Sequence, residues 1–169
     1  VLEGTYLPQN ITAIDAPNNQ PTTKGIFFMT PLPEGGSVGA TSNWKGTAVK
    51  KVFTSPLTQW RTQALTDGRV VITQSPSDDI AGYSFMVSAA GATRALISDE
   101  PGLTLVYHDT VDALLYGTSR NGELALFIKV GNQPPVKLPI GTTADKCVWA
   151  PGSGLIAYCA VPTKAPAAS

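Results

Sequence analysis

The sequence has few charged residues and almost no histidine, and both shortages limit what it can bind. Lys and Arg number 12, Asp and Glu number 12, and there is one histidine, so the formal net charge is zero. Nucleic-acid binding usually needs a basic surplus that neutralises phosphates, so a nucleic-acid partner is not expected. No run approaches the roughly 20 apolar residues that a membrane-spanning helix requires. The sequence therefore predicts no membrane-spanning helix.

The chain also lacks any long segment with the apolar spacing of an amphipathic helix. It contains 16 glycines and 14 prolines, and its apolar residues are rich in Val, Ile, Phe and Tyr, which favour strands. Short apolar runs separated by Gly and Pro predict an all-β fold of short strands. The length of 169 residues fits one domain.

Two cysteines are too few for a disulfide scaffold, and no Cys or His pair nearby completes a zinc pattern. Cys147 and Cys159 each lie six residues from Ser153, in the turn Pro151-Gly152-Ser153-Gly154 between two apolar runs. This symmetry predicts a β-hairpin with the cysteines opposite each other, joined by a disulfide or left as buried thiols. A disulfide would indicate an oxidising compartment such as a bacterial periplasm or cell surface.

Apolar runs with the character of strands recur along the chain at a nearly constant interval. When they are aligned at Phe28, Ile72, Leu115 and Tyr158, the spacings are 44, 43 and 43 residues. Each run follows a shorter apolar strand and a turn, and the first three runs are followed by two further strands. Four short antiparallel strands in about 43 residues is the content of one β-propeller blade.

The repeat predicts a single β-propeller over residues 1–169, with about three and a half to four blades. The predicted blades are residues 11–58, 59–102, 103–142 and a truncated 143–161, followed by a disordered tail at 162–169. The truncated blade leaves an open sheet face and a free strand edge. We expect either that Val1 to Leu7 adds to this blade as an outer strand, or that two copies pair into a homodimer.

Several segments resemble known bacterial propellers. The turns at Ala16-Pro17-Asn18-Asn19 and Ala150 to Gly154, each followed by an apolar strand, resemble the Ser-Pro-Asp-Gly hairpin of TolB-type propellers. Longer stretches resemble the middle blades of a group of uncharacterised, membrane-anchored propellers: Leu7 to Ala13, Met29 to Pro33, Phe53 to Trp60, Lys146 to Trp149 and Tyr158 to Pro162. The resemblance implies an extracytoplasmic location at the bacterial cell envelope and supplies no catalytic residue.

No group of residues forms a recognisable catalytic or metal site. His108 precedes Asp109, but adjacent strand residues point to opposite faces, and no Gly-x-Ser-x-Gly segment supplies a nucleophile. A structural role is therefore expected for His108, as for the His and Asp that hydrogen-bond within tryptophan-aspartate repeat blades. The acidic pairs Asp78-Asp79 and Asp99-Glu100 lack the alternating spacing of a calcium loop and predict solvated charges. We expect no enzymatic activity, no metal and no cofactor.

The three tryptophans divide into two groups. Trp60 and Trp149 occupy matching positions on the innermost strands and are expected to pack in the core. Trp44 ends a third strand beside Lys45-Gly46 and is the candidate for an exposed binding residue, because exposed tryptophans are typical of binding hot spots.

The function expected from these features is a non-catalytic β-propeller scaffold that binds a protein, a peptide or an envelope polysaccharide. Folds do not determine function, so two alternatives stay open. The chain could be the accessory propeller of a hydrolase or peptidase whose catalytic domain is absent. It could instead be a propeller fragment that assembles with itself.

Overall fold

A computed structural model describes residues 7–16, 25–78 and 80–163. Over these residues the chain is all-β, with a single 3-10 turn at Ala144–Lys146 as its helical element. The strands are β1 (Ala13–Asp15), β2 (Ile26–Pro31), β3 (Ser37–Ser42), β4 (Lys50–Ser55), β5 (Trp60–Ala64), β6 (Val70–Gln74), β7 (Ala81–Val87), β8 (Thr93–Pro101), β9 (Thr104–Tyr107), β10 (Ala113–Arg120), β11 (Glu123–Val130), β12 (Val136–Lys137), β13 (Cys147–Trp149) and β14 (Ala157–Cys159).

The strands form three four-stranded sheets and one hairpin, each following chain order. The sheets are β1-β2-β3-β4, β5-β6-β7-β8 and β9-β10-β11-β12, and the hairpin is β13-β14. Strand pairing in the first sheet, the third sheet and the hairpin is antiparallel throughout. The prediction of an all-β fold built from four-stranded antiparallel sheets is confirmed. Each sheet falls inside one predicted repeat, while the closure of these sheets into a propeller stays a prediction.

Glycine at a fixed place in the turn produces four of the hairpin connections. In each turn of five residues, the N–H of the first residue donates to the carbonyl of the fifth. The fourth residue is glycine, and its N–H donates to the carbonyl of the first residue. These glycines have positive φ, which costs glycine little and other residues more. The four turns are Leu32 to Gly36, Asn43 to Thr47, Leu65 to Arg69 and Ser88 to Ala92, with glycines Gly35, Gly46, Gly68 and Gly91.

The fourth strand of the third sheet is shorter than the sequence predicts. The apolar residues of Val136 to Ile140 predict a strand over these five positions, but β12 contains only Val136–Lys137. Leu138 still donates its N–H to the carbonyl of Leu126 at 2.8 Å. Pro139 follows at once, and proline has no N–H with which to continue a ladder.

The chain divides into two compact units: Val1–Ile72 with Phe85–Leu96, and Thr73–Ser84 with Ile97–Ser169. The core of the first unit gathers around Trp60, whose ring meets Phe53 and Phe85 edge-on at centroid distances of 5.6 and 6.3 Å. Its fully buried members include Phe27 and Ile72. Trp60 is 8% exposed, as expected for a packing residue.

Asp15 fastens the first strand of the first unit to its neighbour. Its two carboxylate oxygens accept the backbone N–H groups of Ala16 at 2.8 Å and Ala64 at 2.7 Å. Burial raises the pKa of Asp15 above its ordinary value, although these two hydrogen bonds lower it. The carboxyl group therefore holds β1 beside β5 at an electrostatic cost.

The core of the second unit lies on β10 and β11 and extends to the fourth hairpin. Leu115, Leu126, Ala144 and Cys147 are its buried members. Tyr116 stacks on Phe127 with centroids 4.9 Å apart. Burial, together with the charge of Glu100, raises the pKa of Tyr116, so this phenol stays neutral across the physiological range.

Some predictions fall outside the described residues. They concern residues 1–6 of the predicted closing strand Val1 to Leu7, the turn at Pro17 to Asn19, Asp79 and the end of the tail after residue 163. Within residues 7–16, 25–78 and 80–163, no helix has the length and apolar character needed to cross a membrane.

Candidate functional site: the fourth hairpin

The fourth hairpin forms with the register that the sequence predicts. Cys147 pairs with Cys159, and Trp149 pairs with Ala157, across the turn that contains Ser153. The sulfur atoms of the two cysteines lie 2.07 Å apart, the separation of a disulfide. The cross-link closes the short hairpin and fixes β14 to β13.

One face of this hairpin packs into the second unit. Cys147 is buried, and Trp149, Ala157 and Cys159 are partly buried against the same core. The indole of Trp149 donates its Nε1–H to the carbonyl of Val106 at 3.3 Å. These residues alternate with outward-facing neighbours along each strand, and Trp149, which the sequence predicts to pack in the core, lies on the inward face.

His108 holds the turn of the hairpin in place. Its Nδ1 accepts backbone N–H groups from Thr110 and Val111 at 3.2 Å each, so the proton of the neutral ring lies on Nε2. Nε2 is 3.2 Å from the carbonyl oxygen of Gly154, to which it donates. Both ring nitrogens thus bind backbone groups, and the ring is 2% exposed. The geometry gives His108 a structural role.

A second contact from the same loop supports the hairpin turn. The hydroxyl of Thr110 donates to the carbonyl of Gly152 at 3.0 Å. The ring of His108 also lies 5.0 Å from that of Trp149. Sequence reasoning missed this support, because the carbonyl groups that His108 and Thr110 contact lie more than 40 positions away and carry no side-chain signal.

The outer face of the hairpin is apolar and exposed to solvent. Val148 and Tyr158, which pair across the strands, are 62% and 66% exposed. At the positions of the repeat equivalent to Tyr158, Phe28 is 3%, Ile72 is 0% and Leu115 is 2% exposed. Tyr158 therefore occupies a place that other repeats bury. We call Val148, Ile156 and Tyr158 the open face, since these exposed apolar residues share one face of the hairpin.

The outer edge of β14 also has no neighbouring strand among the described residues. In the other three repeats, the equivalent strand lies between two partners. The N–H of Ala150 bonds to the carbonyl of Ile156, and the N–H of Ala160 to that of Lys146. Because such pairs alternate along an antiparallel ladder, the main-chain groups of Ala157 and Cys159 point away from β13.

Charge distinguishes this edge from the fourth strands of the three four-stranded sheets. No residue from Cys147 to Val161 is charged. The fourth strands, each at one edge of its sheet, carry Lys50 and Lys51 in β4, Arg94 in β8 and Lys137 in β12. Charged side chains on an edge strand oppose pairing with other chains. The edge of β14 lacks this protection.

A cavity of about 390 Å³ in the first unit is a second candidate. Its apolar wall includes Phe27 and Leu65, and its polar groups include Lys50, Asp67 and Arg69. Arg69 binds Asp67 at 2.5 Å, and Lys50 donates to the carbonyl of Ala89 at 3.0 Å. These three charged side chains already bind other groups of the protein, so none of them is reserved for a ligand.

The remaining predicted residues lie on separate turns and strands. Trp44 lies in the turn between β3 and β4 and is 47% exposed, so it stays a candidate binding residue. Asp78 and Asp99 are exposed, and Glu100 is partly buried. Over the described part of the chain, no three His, Cys, Asp or Glu residues come together to hold a metal ion.

No protein-family model matches the chain, and a search of curated proteins finds no match. The resemblance to TolB-type propellers therefore stays a prediction, and function must be argued from the hairpin itself.

Proposed function

We propose that the protein is a non-catalytic β-propeller scaffold that binds another polypeptide through the open face of its fourth hairpin. The observation that carries the proposal is the exposure of Tyr158, 66% against 3% or less at the three equivalent positions. Apolar residues that are exposed in one repeat, but buried at the equivalent positions of the other repeats, are typical of an interaction surface. Burying Tyr158 and Val148 would remove a large aromatic and a β-branched side chain from water.

The hairpin is also rigid enough to act as a preformed binding surface. A disulfide joins its strands, and His108 and Thr110 hold its turn. A surface fixed before binding loses less conformational entropy when a partner docks. The open face therefore combines exposed apolar area with preorganisation.

The disulfide supports a place of action outside the cytoplasm. Cytosolic thiols are kept reduced, whereas a disulfide persists in the bacterial periplasm or at the cell surface. Cys147 and Cys159 are the only cysteines of the chain, and both are in this bond. We accordingly propose an extracytoplasmic scaffold at the bacterial cell envelope, where the partner would be another envelope protein or a second copy.

Selection of displayed peptides tests this proposal whatever the identity of the natural partner. The oxidised protein is panned against a random library, and enriched peptides are then measured against a variant with Val148→Lys and Tyr158→Lys. We expect most enriched peptides to bind this variant at least tenfold more weakly, because charged side chains would replace the apolar contacts. The disulfide and the inward face remain unchanged, so the variant hairpin should still fold.

Val136→Lys is the matched control. Val136 is 61% exposed on β12 of the same unit, so the change adds a lysine at similar exposure away from the hairpin. Enriched peptides should keep their affinity for this variant. Peptides that bind the doubly substituted hairpin as well as the unchanged protein would refute the proposal.

A further inference from the structure

The third sheet shows what the edge of β14 lacks. In that sheet, β10 lies between β9 and β11, with Leu115 opposite Ile128 and Tyr116 opposite Phe127. Leu115 and Tyr158 are equivalent in the repeat, so Tyr116 corresponds to Cys159. The hairpin reproduces β9 and β10, but no described strand takes the place of β11.

The hydrogen-bond directions agree with this correspondence. A two-residue turn, Asn121-Gly122, joins β10 to β11, and both of its residues have positive φ. Such a turn makes its flanking pair, Arg120 and Glu123, a hydrogen-bonded pair, so alternation makes Tyr116 and Phe127 one as well. Cys159, the equivalent of Tyr116, has its main-chain groups directed outward in the same way. The edge of β14 is thus in phase to receive a strand.

We propose that the edge of β14, which no described strand pairs, binds an extended, largely apolar segment of another polypeptide by antiparallel strand addition. This inference rests on the scaffold function proposed above and names the conformation of the partner. The backbone N–H and C=O groups of Ala157 and Cys159 would exchange hydrogen bonds with the added strand. Strand addition derives affinity from main-chain bonds and specificity from alternate side chains.

The chemistry of the edge also selects the side chains of the partner. The added residue opposite Tyr158 would correspond to Ile128 and extend the open face. The residue opposite Cys159 would correspond to Phe127, which stacks on Tyr116 in the third sheet. Because the edge carries no charge, apolar residues at these places avoid burying an unpaired ion. An alternating apolar strand is therefore the partner that fits.

A synthetic peptide with the sequence of residues 122–131, which includes β11, is the probe. A fluorescent label reports its binding to the full oxidised protein by anisotropy. N-methylation at the positions of Phe127 and Lys129 removes the N–H groups that would face β14. The matched control carries N-methyl groups at the positions of Leu126 and Ile128, whose N–H groups would face outward.

We expect the unmodified and control peptides to bind, and methylation at Phe127 and Lys129 to weaken binding at least tenfold. Exchange of the Ala157 and Cys159 amide hydrogens should slow when the unmodified peptide is bound. The variant Ala157→Pro should also lose binding, since it removes an outward N–H without removing a bond to β13.

The outcomes separate this inference from the function on which it rests. Equal binding of both methylated peptides would overturn strand addition, and displayed peptides sensitive to Tyr158→Lys would still support the scaffold. No binding of the unmodified peptide would also overturn it. If displayed peptides were in addition insensitive to the lysine substitutions, the scaffold function would fail as well.

Discussion

Replacing both cysteines of the fourth hairpin by alanine should open this hairpin locally. The disulfide joins residues 12 positions apart, and loop-closure entropy for about 13 residues gives about 10 cal/mol/K, or about 3 kcal/mol at room temperature. The same entropy term applies when only the hairpin opens and the remaining chain stays folded, because the disulfide still constrains this loop. The double variant Cys147→Ala, Cys159→Ala should therefore populate the open hairpin about 100-fold more than the unchanged protein.

Amide hydrogen exchange measures this opening directly. The amides of Ala150 and Ala160 report on the hairpin, because they donate to Ile156 and Lys146 at 2.8 and 2.9 Å. Both should exchange about 100-fold faster in the double variant. The amide of Leu138, which binds Leu126 in the third sheet, serves as the internal control. Unchanged exchange at Ala150 and Ala160 would show that packing, rather than the cross-link, holds the hairpin closed.

Three further predictions concern the residues that support the two units. Because burial raises the pKa of Asp15, the stability of the protein relative to Asp15→Asn should fall as pH rises through and above the ordinary pKa of an aspartate. Urea unfolding that gives parallel pH profiles for the two proteins would contradict this. Trp60→Ala should lower the free energy of unfolding by about 3 to 5 kcal/mol, since it empties the centre of the first core; a loss under about 1 kcal/mol in the same assay would mean that this core collapses around the gap. His108→Ala should destabilise the closed hairpin by about 1 to 2 kcal/mol through the lost bond to Gly154, seen as faster exchange of the Ala150 amide; unchanged exchange would remove its structural role.

Local patterns along the chain predicted most of the strands. Apolar runs separated by glycine or proline located the strands well, because the turns at Gly46, Gly68 and Gly91 need positive φ. Symmetric spacing around Ser153 placed Cys147 opposite Cys159, since register in a hairpin follows from the turn. These features depend on neighbours in sequence, so one sequence suffices to find them.

Features that depend on distant groups could not be predicted in the same way. The truncated fourth repeat predicted an open face, but the sequence did not identify Tyr158 as its most exposed residue, at 66%, because exposure depends on which strands lie beside β14. The support of the hairpin by His108 uses a backbone carbonyl 46 positions away, and any residue type could supply that carbonyl. Pro139 ended β12 early although the surrounding residues, Val136 to Ile140, are largely apolar. The candidate site therefore emerged from burial compared across repeats.

Hydroxyl-radical footprinting of Tyr158 is the most direct test of the scaffold function. The oxidised protein is labelled alone and with the tightest displayed peptide bound, and oxidation is read at each aromatic residue by mass spectrometry. We predict that peptide lowers the oxidation of Tyr158 at least tenfold while Trp44, which is 47% exposed, is oxidised as before. If the peptide left the oxidation of Tyr158 unchanged and lowered that of Trp44, binding would lie at the turn between β3 and β4. This result would contradict the proposed role of the open face.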